Sequence, residues 1–433
     1  MDKQPVPAQV TPRSTRRTVL KLAAAGLSLP AYLRAKSGFA AGRKIKIGYV
    51  GALSGPLAAF SEPNEFVFDQ VNKIIGSGIN GSAGTFEIEW IIRDNKSLPK
   101  LSKKIADDLI GQDEVDLMLA SDTPETINPV ADLCEYYEVP CITTVAPWQS
   151  YFHGRKGNLG KGFEWTYHFY WGMEDALSAF VSLWDQLEVN KVVGGLFPND
   201  IDGRLWSDVD FGLPPELAQR GYGFVDGGRY QPLTKDFSQQ IALFKEQGVE
   251  IVTGVPIPPD FITFWKQCGE QDYKPKVVTI AKALLFPSVV NALGERGAGL
   301  SCGVSWAPTF PFKSGLTGES ASELAANYQA ATNRPWTQPL GFRHALLEVT
   351  IDILKRTSDP TDRNALKQAI LETNYDSIIG KIRWGGPPVK NVCQTPVVGG
   401  QWQKKDDGSL EVVVVDNNNV SFIPKGSKLS ILA

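Results

Sequence analysis

The chain has 433 residues and nearly balanced charge, with 44 lysine and arginine residues against 47 aspartate and glutamate residues. No basic block stands out, which argues against a nucleic-acid partner and favours a small molecule. A chain of this length exceeds what one hydrophobic core normally serves, so the sequence predicts two domains.

The first forty residues have the composition of an export signal. Residues 15–21, TRRTVLK, resemble the twin-arginine motif, and an apolar stretch follows over 22–33. That stretch is too short to span a bilayer, which needs about 20 apolar residues. Small residues at Gly38 and Ala40 predict cleavage near Ala40. We therefore expect residues 1–40 to be a signal peptide and the mature chain to be periplasmic, with a disordered basic tail as the alternative.

Five cysteines and three histidines are scattered without the spacing of a metal site. Cys134 falls on a predicted helix and Cys141 on the next predicted strand, so their side chains need not meet. The odd number leaves at least one cysteine unpaired, even in an oxidising compartment. We expect neither a metal nor a cofactor.

From residue 44 onward, short apolar runs alternate with amphipathic stretches. The first series predicts strands and helices in turn, with strands over 45–50, 86–92, 115–119 and 140–143, and helices over 65–75, 98–110 and 126–137. Right-handed crossovers turn such a series into a parallel sheet with helices on both faces.

Glycines and basic residues over 149–161 predict a surface crossing into a second domain. The alternation then resumes, with strands over 191–196, 223–230, 250–255, 276–280 and 300–306, and helices over 173–187, 205–220, 236–247 and 261–271. Pro214 and Pro215 interrupt the 205–220 helix.

Residues 307–318, rich in proline and glycine, predict a second crossing. Three helices follow over 322–332, 342–355 and 363–372. Because three consecutive helices cannot extend the second sheet, we expect them to pack on the first domain and to make it discontinuous. The tail predicts a β-hairpin over 397–404 and 410–415.

Residues 44–60, KIKIGYVGALSGPLAAF, resemble the first strand and loop of branched-chain amino-acid binding proteins, in which G-x-x-S-G-P precedes an aromatic residue. Residues 93–95, RDN, and the turn ending at Gly203 also fit that family. The chain is thus similar to type I periplasmic solute-binding proteins of ABC importers, from about residue 44 to residue 420.

The resemblance implies an α/β fold of two doubly wound parallel-sheet lobes joined by three hinge crossings. The ligand then lies in the cleft between the lobes, which close by hinge motion. We expect lobe 1 over 41–160 and 308–390, lobe 2 over 161–307 and 391–420, and a C-terminal tail over 421–433.

The resemblance also implies where a ligand is held, because loops at the carboxyl ends of parallel strands present N–H groups and helix N-termini. After the first strand, Ser54 and Phe60 are candidates, with Phe60 as an aromatic wall and a plain turn as the alternative. After the third strand, Ser121 is the first candidate for holding a carboxylate, or it caps the helix. Asp122 either meets a ligand cation or caps the helix.

Further candidates follow the fourth strand and open the second lobe. Thr144 belongs to another loop that holds a carboxylate in the family, and Trp148 either stacks on a flat ligand or packs in the core. Tyr170, with Trp171 beside it, either faces the cleft or serves as packing. Asp202 replaces the aromatic residue that the family often shows before its glycine.

Lys282 decides the expected ligand class. Amino-acid binders of the family place an acidic residue in this loop for the ligand ammonium, but here the loop reads Ile280-Ala281-Lys282-Ala283. A buried ammonium without a partner is costly, so an ordinary α-amino acid is disfavoured. Lys282 either meets a ligand carboxylate or lies on the surface. We predict a small organic acid, amide or amino-acid-like solute with a flat portion.

Dinucleotide, phosphate-loop and nucleophile-elbow motifs are absent from the sequence, so we predict a binding protein and not an enzyme. We expect a monomer that hands its solute to the permease subunits of an ABC transporter and contacts the membrane only through that complex. A ligand sensor of the same fold, docking on a signalling receptor, is the alternative, and a periplasmic enzyme is a third.

Overall fold

The computed structural model describes residues 43–432, so the predicted signal segment lies outside the described residues. The strands within that range are, in chain order, β1 (Ile45–Gly51), β2 (Ile79–Gly81), β3 (Gly84–Phe86), β4 (Ile88–Asp94), β5 (Leu117–Ser121), β6 (Cys141–Thr144), β7 (Thr166–Tyr170), β8 (Val192–Pro198), β9 (Gly223–Tyr230), β10 (Ile251–Gly254), β11 (Val277–Ile280), β12 (Ser301–Val304), β13 (Tyr375–Ser377), β14 (Gly380–Ile382), β15 (Val392–Gln394), β16 (Val398–Lys404) and β17 (Leu410–Asp416).

Most of the helices alternate with strands up to β12, after which α11, α12 and α13 follow one another. In chain order they are α1 (Asn64–Ile75), α2 (Pro99–Gly111), α3 (Pro124–Tyr136), α4 (Trp148–Phe152), α5 (Met173–Trp184), α6 (Ile201–Trp206), α7 (Leu213–Gln219), α8 (Ser238–Glu246), α9 (Pro258–Glu270), α10 (Pro287–Ala292), α11 (Ala321–Thr332), α12 (Pro339–Arg356) and α13 (Arg363–Leu371).

The first sheet has six parallel strands in the order β15-β7-β6-β5-β1-β4. Ser121 pairs with Thr144, and Thr144 pairs with Phe169, so β5, β6 and β7 end at the same level. Strand β1 has β4 on one side and β5 on the other, which makes this edge a topological switch point. The predicted parallel sheet is confirmed.

The second sheet has the order β17-β16-β12-β11-β10-β8-β9. Strands β9, β8, β10, β11 and β12 are parallel, whereas β16 and β17 form an antiparallel hairpin at the edge. The two sheets confirm the predicted two-lobed α/β fold, and the tail hairpin is confirmed as well.

Helix α12 ties the late helices to the first sheet. Nearly all its residues are buried, and it packs against α1, β2 and β6 of the first lobe. A helix that is apolar on most of its surface has to be enclosed on most sides. This packing of α12 supports a discontinuous first lobe, which stays a proposal.

The predicted crossing at residues 149–161 is wrong. That segment forms α4 and a loop that leads into β7, which pairs with β6 of the first sheet. The first passage between the sheets instead follows Tyr170, the second follows Val304, and the third lies between β15 and β16. We propose lobe boundaries at these three passages, which moves β7 and β15 from the second lobe, where we expected them, to the first.

The 205–220 stretch contains two helices rather than one interrupted helix. Helix α6 ends at Trp206, and α7 begins at Leu213 with Pro214 and Pro215 in its first turn. Proline is tolerated there because first-turn N–H groups have no partner within the helix. The early break matters for the site, because it leaves α6 as a short segment directly after β8.

The five cysteines are buried and unpaired in disulfides. Burial and the neighbouring Cys141 thiol raise the pKa of Cys134, so these two thiols interact although the sequence did not require it. Within residues 43–432, we find no cluster of three histidine, cysteine or acidic side chains suited to a metal ion. No helix in that range is long and apolar enough to cross a membrane.

Candidate functional site

A small cavity lies where the carboxyl ends of the two parallel sheets face each other. Its lining comes from the loops after β1, β5, β6 and β7 of the first lobe and after β8, β10 and β11 of the second, and consists of Phe60, Thr123, Val145, Pro147, Tyr170, Trp171, Asp202, Trp206, Val255, Ala281, Lys282 and Leu285. Its free space is about 20 Å³, roughly the room of one water molecule. A solute therefore enters only if the lobes separate.

Another pocket, of about 210 Å³, also lies between the lobes, but α10, α11 with the segment after it, and the β16–β17 hairpin line it, with no residue from the loops after β5, β6, β8 or β10. The groove along α1, of about 600 Å³, is lined by residues of the first lobe and is open to solvent. Ligands of open α/β sheets bind outside the carboxyl ends of strands, at the switch point. The cavity between the sheets is therefore the candidate site, and we call it the cleft.

Four aromatic side chains wall the cleft. Tyr170 and Trp171 lie with ring centroids 4.8 Å apart, and Trp171 meets Trp206 edge to face at 6.5 Å. Phe60 of the first lobe meets Phe286 of the second at 4.8 Å, also edge to face. These rings offer flat apolar surfaces from both lobes, a lining typical of small-molecule sites.

The first lobe contributes hydroxyl groups. Thr123 lines the cleft as the N-cap of α3, but its hydroxyl is buried and has no hydrogen-bond partner. Ser121, two residues earlier, is the last residue of β5, and its hydroxyl is also buried without a partner. The N-cap residue of α3 is thus Thr123. Helix capping, the alternative role expected for Ser121 and for Asp122, is wrong for both residues.

The Asp122 carboxylate is occupied by partners within the protein. One carboxylate oxygen accepts a hydrogen bond from the Ala52 backbone N–H at 2.5 Å, and the other lies 3.4 Å from the Arg343 guanidinium. Both charged side chains are buried, and burial raises the pKa of Asp122 to about 6 against the attraction of Arg343. The expected role of Asp122 as a partner for a ligand cation is not supported by this geometry.

Backbone strain marks the two loops beside this pair. Asp122 has φ +135° and Val145 has φ +69°. A positive φ is unfavourable for a side chain branched at Cβ, such as that of Val145, and such strain persists only when the surroundings enforce it. Because Val145 lines the cleft, the strain lies in the candidate site itself.

Three predicted site residues make internal contacts outside the cleft wall. The Thr144 hydroxyl donates to the Phe169 carbonyl at 2.6 Å. The Trp148 indole N–H donates to Glu174 at 3.0 Å, and Trp148 does not line the cleft. Ser54 is exposed, and its hydroxyl donates to Asp94 at 2.6 Å.

The second lobe contributes a buried charge cluster. Lys282 Nζ lies 2.6 Å from Asp202 Oδ2 and 3.4 Å from Asp200 Oδ2. Asp200 is the N-cap of α6 and accepts a hydrogen bond from the Gly203 N–H at 2.6 Å. Burial alone would lower the pKa of Lys282, but Asp200 and Asp202 raise it above its usual value. Lys282 is thus an internal counter-ion and not the surface lysine considered above.

This cluster overturns one premise drawn from the sequence. The loop after β11 has no carboxylate, but Asp202 of α6 brings one to the same place in space. An acidic side chain therefore does face this end of the cleft, and the absence of one cannot exclude an amine.

The structure thus brings Phe60, Tyr170, Asp202 and Lys282 together in the cleft wall. Thr123 and Trp206 were missed. Trp206 follows Asp202 by four residues, which is the spacing that places two side chains on the same face of a helix. That signal was hidden because the predicted helix began at residue 205, after Asp202.

The described fold agrees with a family of known proteins. The sequence matches the family model described as a periplasmic binding protein over residues 44–407. The chain belongs to the periplasmic binding protein family. No curated protein sequence matches the chain.

Solved structures of periplasmic binding proteins resemble this chain closely in shape. The leucine-binding protein LivK of Thermotoga maritima has a TM-score of 0.69 at 15% identity, over 87% of this chain and 99% of its own. A solute-binding protein of an ABC transporter from R. palustris, in complex with 4-hydroxybenzoate, has a TM-score of 0.71 at 18% identity, over 86% and 96%. LivJ of Streptococcus pneumoniae, in complex with isoleucine, has a TM-score of 0.65 at 15% identity, over 86% and 100%. At such identities the likeness establishes the fold alone.

Proposed function

We propose that this chain is the extracytoplasmic solute-binding component of an ABC importer, and that it binds a small, flat organic acid or amide in the cleft. One observation carries this proposal. Four aromatic rings and a buried, unpartnered Thr123 hydroxyl line a cavity between the carboxyl edges of both sheets. Aromatic walls with a few convergent polar groups suit a small solute.

The first-lobe hydroxyls favour a carbonyl or carboxylate at that end of the ligand. A buried hydroxyl without a partner loses hydrogen bonds that it would make in water. Thr123 lies at the N-terminus of α3, where the helix dipole also favours negative charge. A ligand oxygen between the Thr123 hydroxyl and this helix end would restore the missing contact.

The aromatic walls favour a flat ligand over a branched aliphatic one. The related structures carry isoleucine in one case and 4-hydroxybenzoate in another, so this fold accepts both shapes. In this chain the free space between the walls is small. A thin ring requires the least separation of the lobes and stacks on the faces of Tyr170 and Trp171.

Ligand entry requires a hinge. We propose that the lobes rotate about the three passages after Tyr170, after Val304 and between β15 and β16. Scattering of the full chain with and without 4-hydroxybenzoate is expected to show a smaller radius of gyration in the bound protein. An unchanged radius across a saturating titration contradicts the hinge.

We further propose export by the twin-arginine route, cleavage near Ala40 and delivery of the solute to permease subunits by a monomer. Arg16 and Arg17 carry the export proposal. Replacing both with lysine should leave the precursor in the cytoplasm. Undiminished periplasmic protein after this change contradicts the proposed route.

Thermal-shift measurements test the binding proposal. A ligand that binds only the folded state stabilises it by about 2.7 kcal/mol at one hundred times its Kd. The panel contains 4-hydroxybenzoate, benzamide, phenylalanine and leucine, and the largest shift is expected among the first two. Trp171→Leu should abolish that shift, whereas Trp90→Leu, a matched change on β4 outside the cleft, should preserve it. Equal shifts in both variants contradict binding in the cleft.

A further inference from the structure

We infer that Asp202 and Trp206 make the second-lobe end of the cleft selective for an uncharged ligand group that both donates and accepts a hydrogen bond, such as a hydroxyl. This inference rests on the proposed function and adds the chemistry of the ligand at one end. It follows from three features of α6 and its surroundings: the pairing of Lys282, the unpartnered atoms of Asp202 and Trp206, and the charge around them.

Lys282 does not offer its charge to a ligand. Its side chain is 9% exposed, and two carboxylates, those of Asp202 at 2.6 Å and Asp200 at 3.4 Å, already surround its ammonium group. A ligand carboxylate would have to compete with both while losing its own hydration, which is costly in a buried site. An anionic ligand group at this end is therefore disfavoured.

Asp202 has capacity left for a donor. Its side chain is fully buried and lines the cleft; Oδ2 lies 2.6 Å from Lys282 Nζ, whereas Oδ1 has no hydrogen-bond partner. A buried carboxylate oxygen normally has such a partner, because water is no longer available to supply one. A ligand O–H or N–H directed at Asp202 would supply the missing donor.

Trp206 supplies the complementary atom. It lies four residues after Asp202, lines the same cavity, is fully buried, and its indole N–H has no acceptor. An acceptor and a donor thus border one end of the cleft. A hydroxyl donates to Asp202 and accepts from Trp206, whereas an ether lacks the proton and a carboxylate lacks it as well.

The charged groups around Lys282 also disfavour an anionic ligand group at this end of the cleft. Three acidic groups, Asp200, Asp202 and Glu125, act on the Lys282 ammonium and raise its pKa. Asp260 also lies within electrostatic reach of Lys282, although Lys235 offsets it. Because Asp202 already pairs with the Lys282 ammonium at 2.6 Å, no unpaired positive charge remains at this end of the cleft to attract an anion.

A series of para-substituted benzoates tests the inference by calorimetry on the full chain. The four probes are 4-hydroxybenzoate, benzoate, 4-methoxybenzoate and terephthalate, which place a hydroxyl, a hydrogen, an ether and a carboxylate at the same position. A hydrogen bond to a charged group changes affinity by about ten- to hundredfold. We expect 4-hydroxybenzoate to bind at least about tenfold more tightly than the ether, and terephthalate to bind most weakly.

Two variants assign the preference to its residues. Asp202→Asn should reduce the preference for hydroxyl over ether to less than about threefold and should relax the rejection of terephthalate. Trp206→Phe removes the indole N–H together with part of the aromatic surface, so it should weaken 4-hydroxybenzoate while leaving terephthalate the weakest probe. Asp210→Asn, an exposed neighbour in the same segment, should leave the wild-type order unchanged.

The outcomes separate the two proposals. If wild-type protein binds the ether or terephthalate as tightly as 4-hydroxybenzoate, the donor inference is overturned while the proposed function stands. An unchanged order of affinities in Asp202→Asn overturns it as well. If none of the four probes binds, both the inference and the proposed flat-acid ligand are overturned.

Discussion

The Glu125 carboxylate on the first lobe accepts a hydrogen bond from the backbone N–H of Ile201 on the second lobe, at 2.8 Å. Glu125 lies in the first turn of α3, and Ile201 is the first residue of α6. One acidic side chain thus bridges the N-termini of two helices that border the cleft. Such a contact exists only while the lobes are close, so it favours the closed arrangement.

Removing this bridge should weaken binding without touching the ligand. We expect Glu125→Ala to lower the affinity for 4-hydroxybenzoate by roughly three- to tenfold, because a partly exposed charged hydrogen bond contributes about 1 kcal/mol. Calorimetry measures the change, and Glu246→Ala, an exposed carboxylate on α8, serves as the control. Equal affinities of the two variants would show that the bridge does not contribute to closure.

Thr123 offers a test of the first-lobe end. We expect Thr123→Val, which replaces the hydroxyl with a methyl group of similar shape, to weaken 4-hydroxybenzoate by roughly tenfold through loss of one hydrogen bond. Thr144→Val is the comparison, since the Thr144 hydroxyl donates to the Phe169 carbonyl and not to the cleft. A larger loss of affinity in Thr144→Val than in Thr123→Val refutes the assignment of this end to Thr123.

The buried pair of Asp122 and Arg343 should support stability. Removing one partner leaves an uncompensated buried charge, so we expect Arg343→Met to lower the free energy of unfolding by about 3 to 5 kcal/mol. The double variant with Asp122→Asn should recover part of that loss. Urea denaturation measures both. Lys266→Met, in an exposed pair with Glu270, should cost less than about 1 kcal/mol; a similar cost for Arg343→Met contradicts the buried pair's role.

Asp200 gives the stability a pH dependence of known sign. Burial raises the pKa of Asp200 from 3.8 to about 7, although Lys282 opposes the rise. Between these two pH values, Asp200 keeps its proton in the folded protein and loses it in the unfolded chain. This stabilisation is fully present below pH 3.8 and is lost as the pH rises through about 7.

Asp200→Asn should make the fall of the urea midpoint between pH 5 and pH 8 shallower than in the wild type. Asparagine caps helices about as well as aspartate, so α6 should keep its N-terminus. The difference in slope between the two proteins measures the contribution of the Asp200 titration to stability. Parallel pH profiles of the two proteins would exclude Asp200 as the titrating group.

The fold was predictable because hydrophobic period and turn residues act locally. Strand β9 over Gly223–Tyr230 and the three consecutive helices agree with the prediction closely. Strand β7 was missed because Thr166–Tyr170, TYHFY, mixes polar and aromatic residues and follows a glycine-rich loop that looks like a boundary. Pairing with β6 places β7 in the first sheet, and a local sequence pattern gives no information about such a contact.

The site was predictable only where it follows strand ends. Phe60 and Tyr170 line the cleft as expected, because a loop after a parallel strand must reach this edge. The partners of Lys282 were not predictable, since Asp200 and Asp202 lie some eighty residues away along the chain. Arg343 likewise reaches Asp122 only because α12 returns to the first lobe.

Calorimetric titration of the wild-type chain with leucine, phenylalanine and 4-hydroxybenzoate tests the central claim that the cleft holds a flat solute. We predict measurable binding of 4-hydroxybenzoate and weaker or absent binding of leucine, because the four aromatic side chains that line the cleft favour contact with a flat ring. Micromolar binding of leucine together with no binding of 4-hydroxybenzoate would contradict the account.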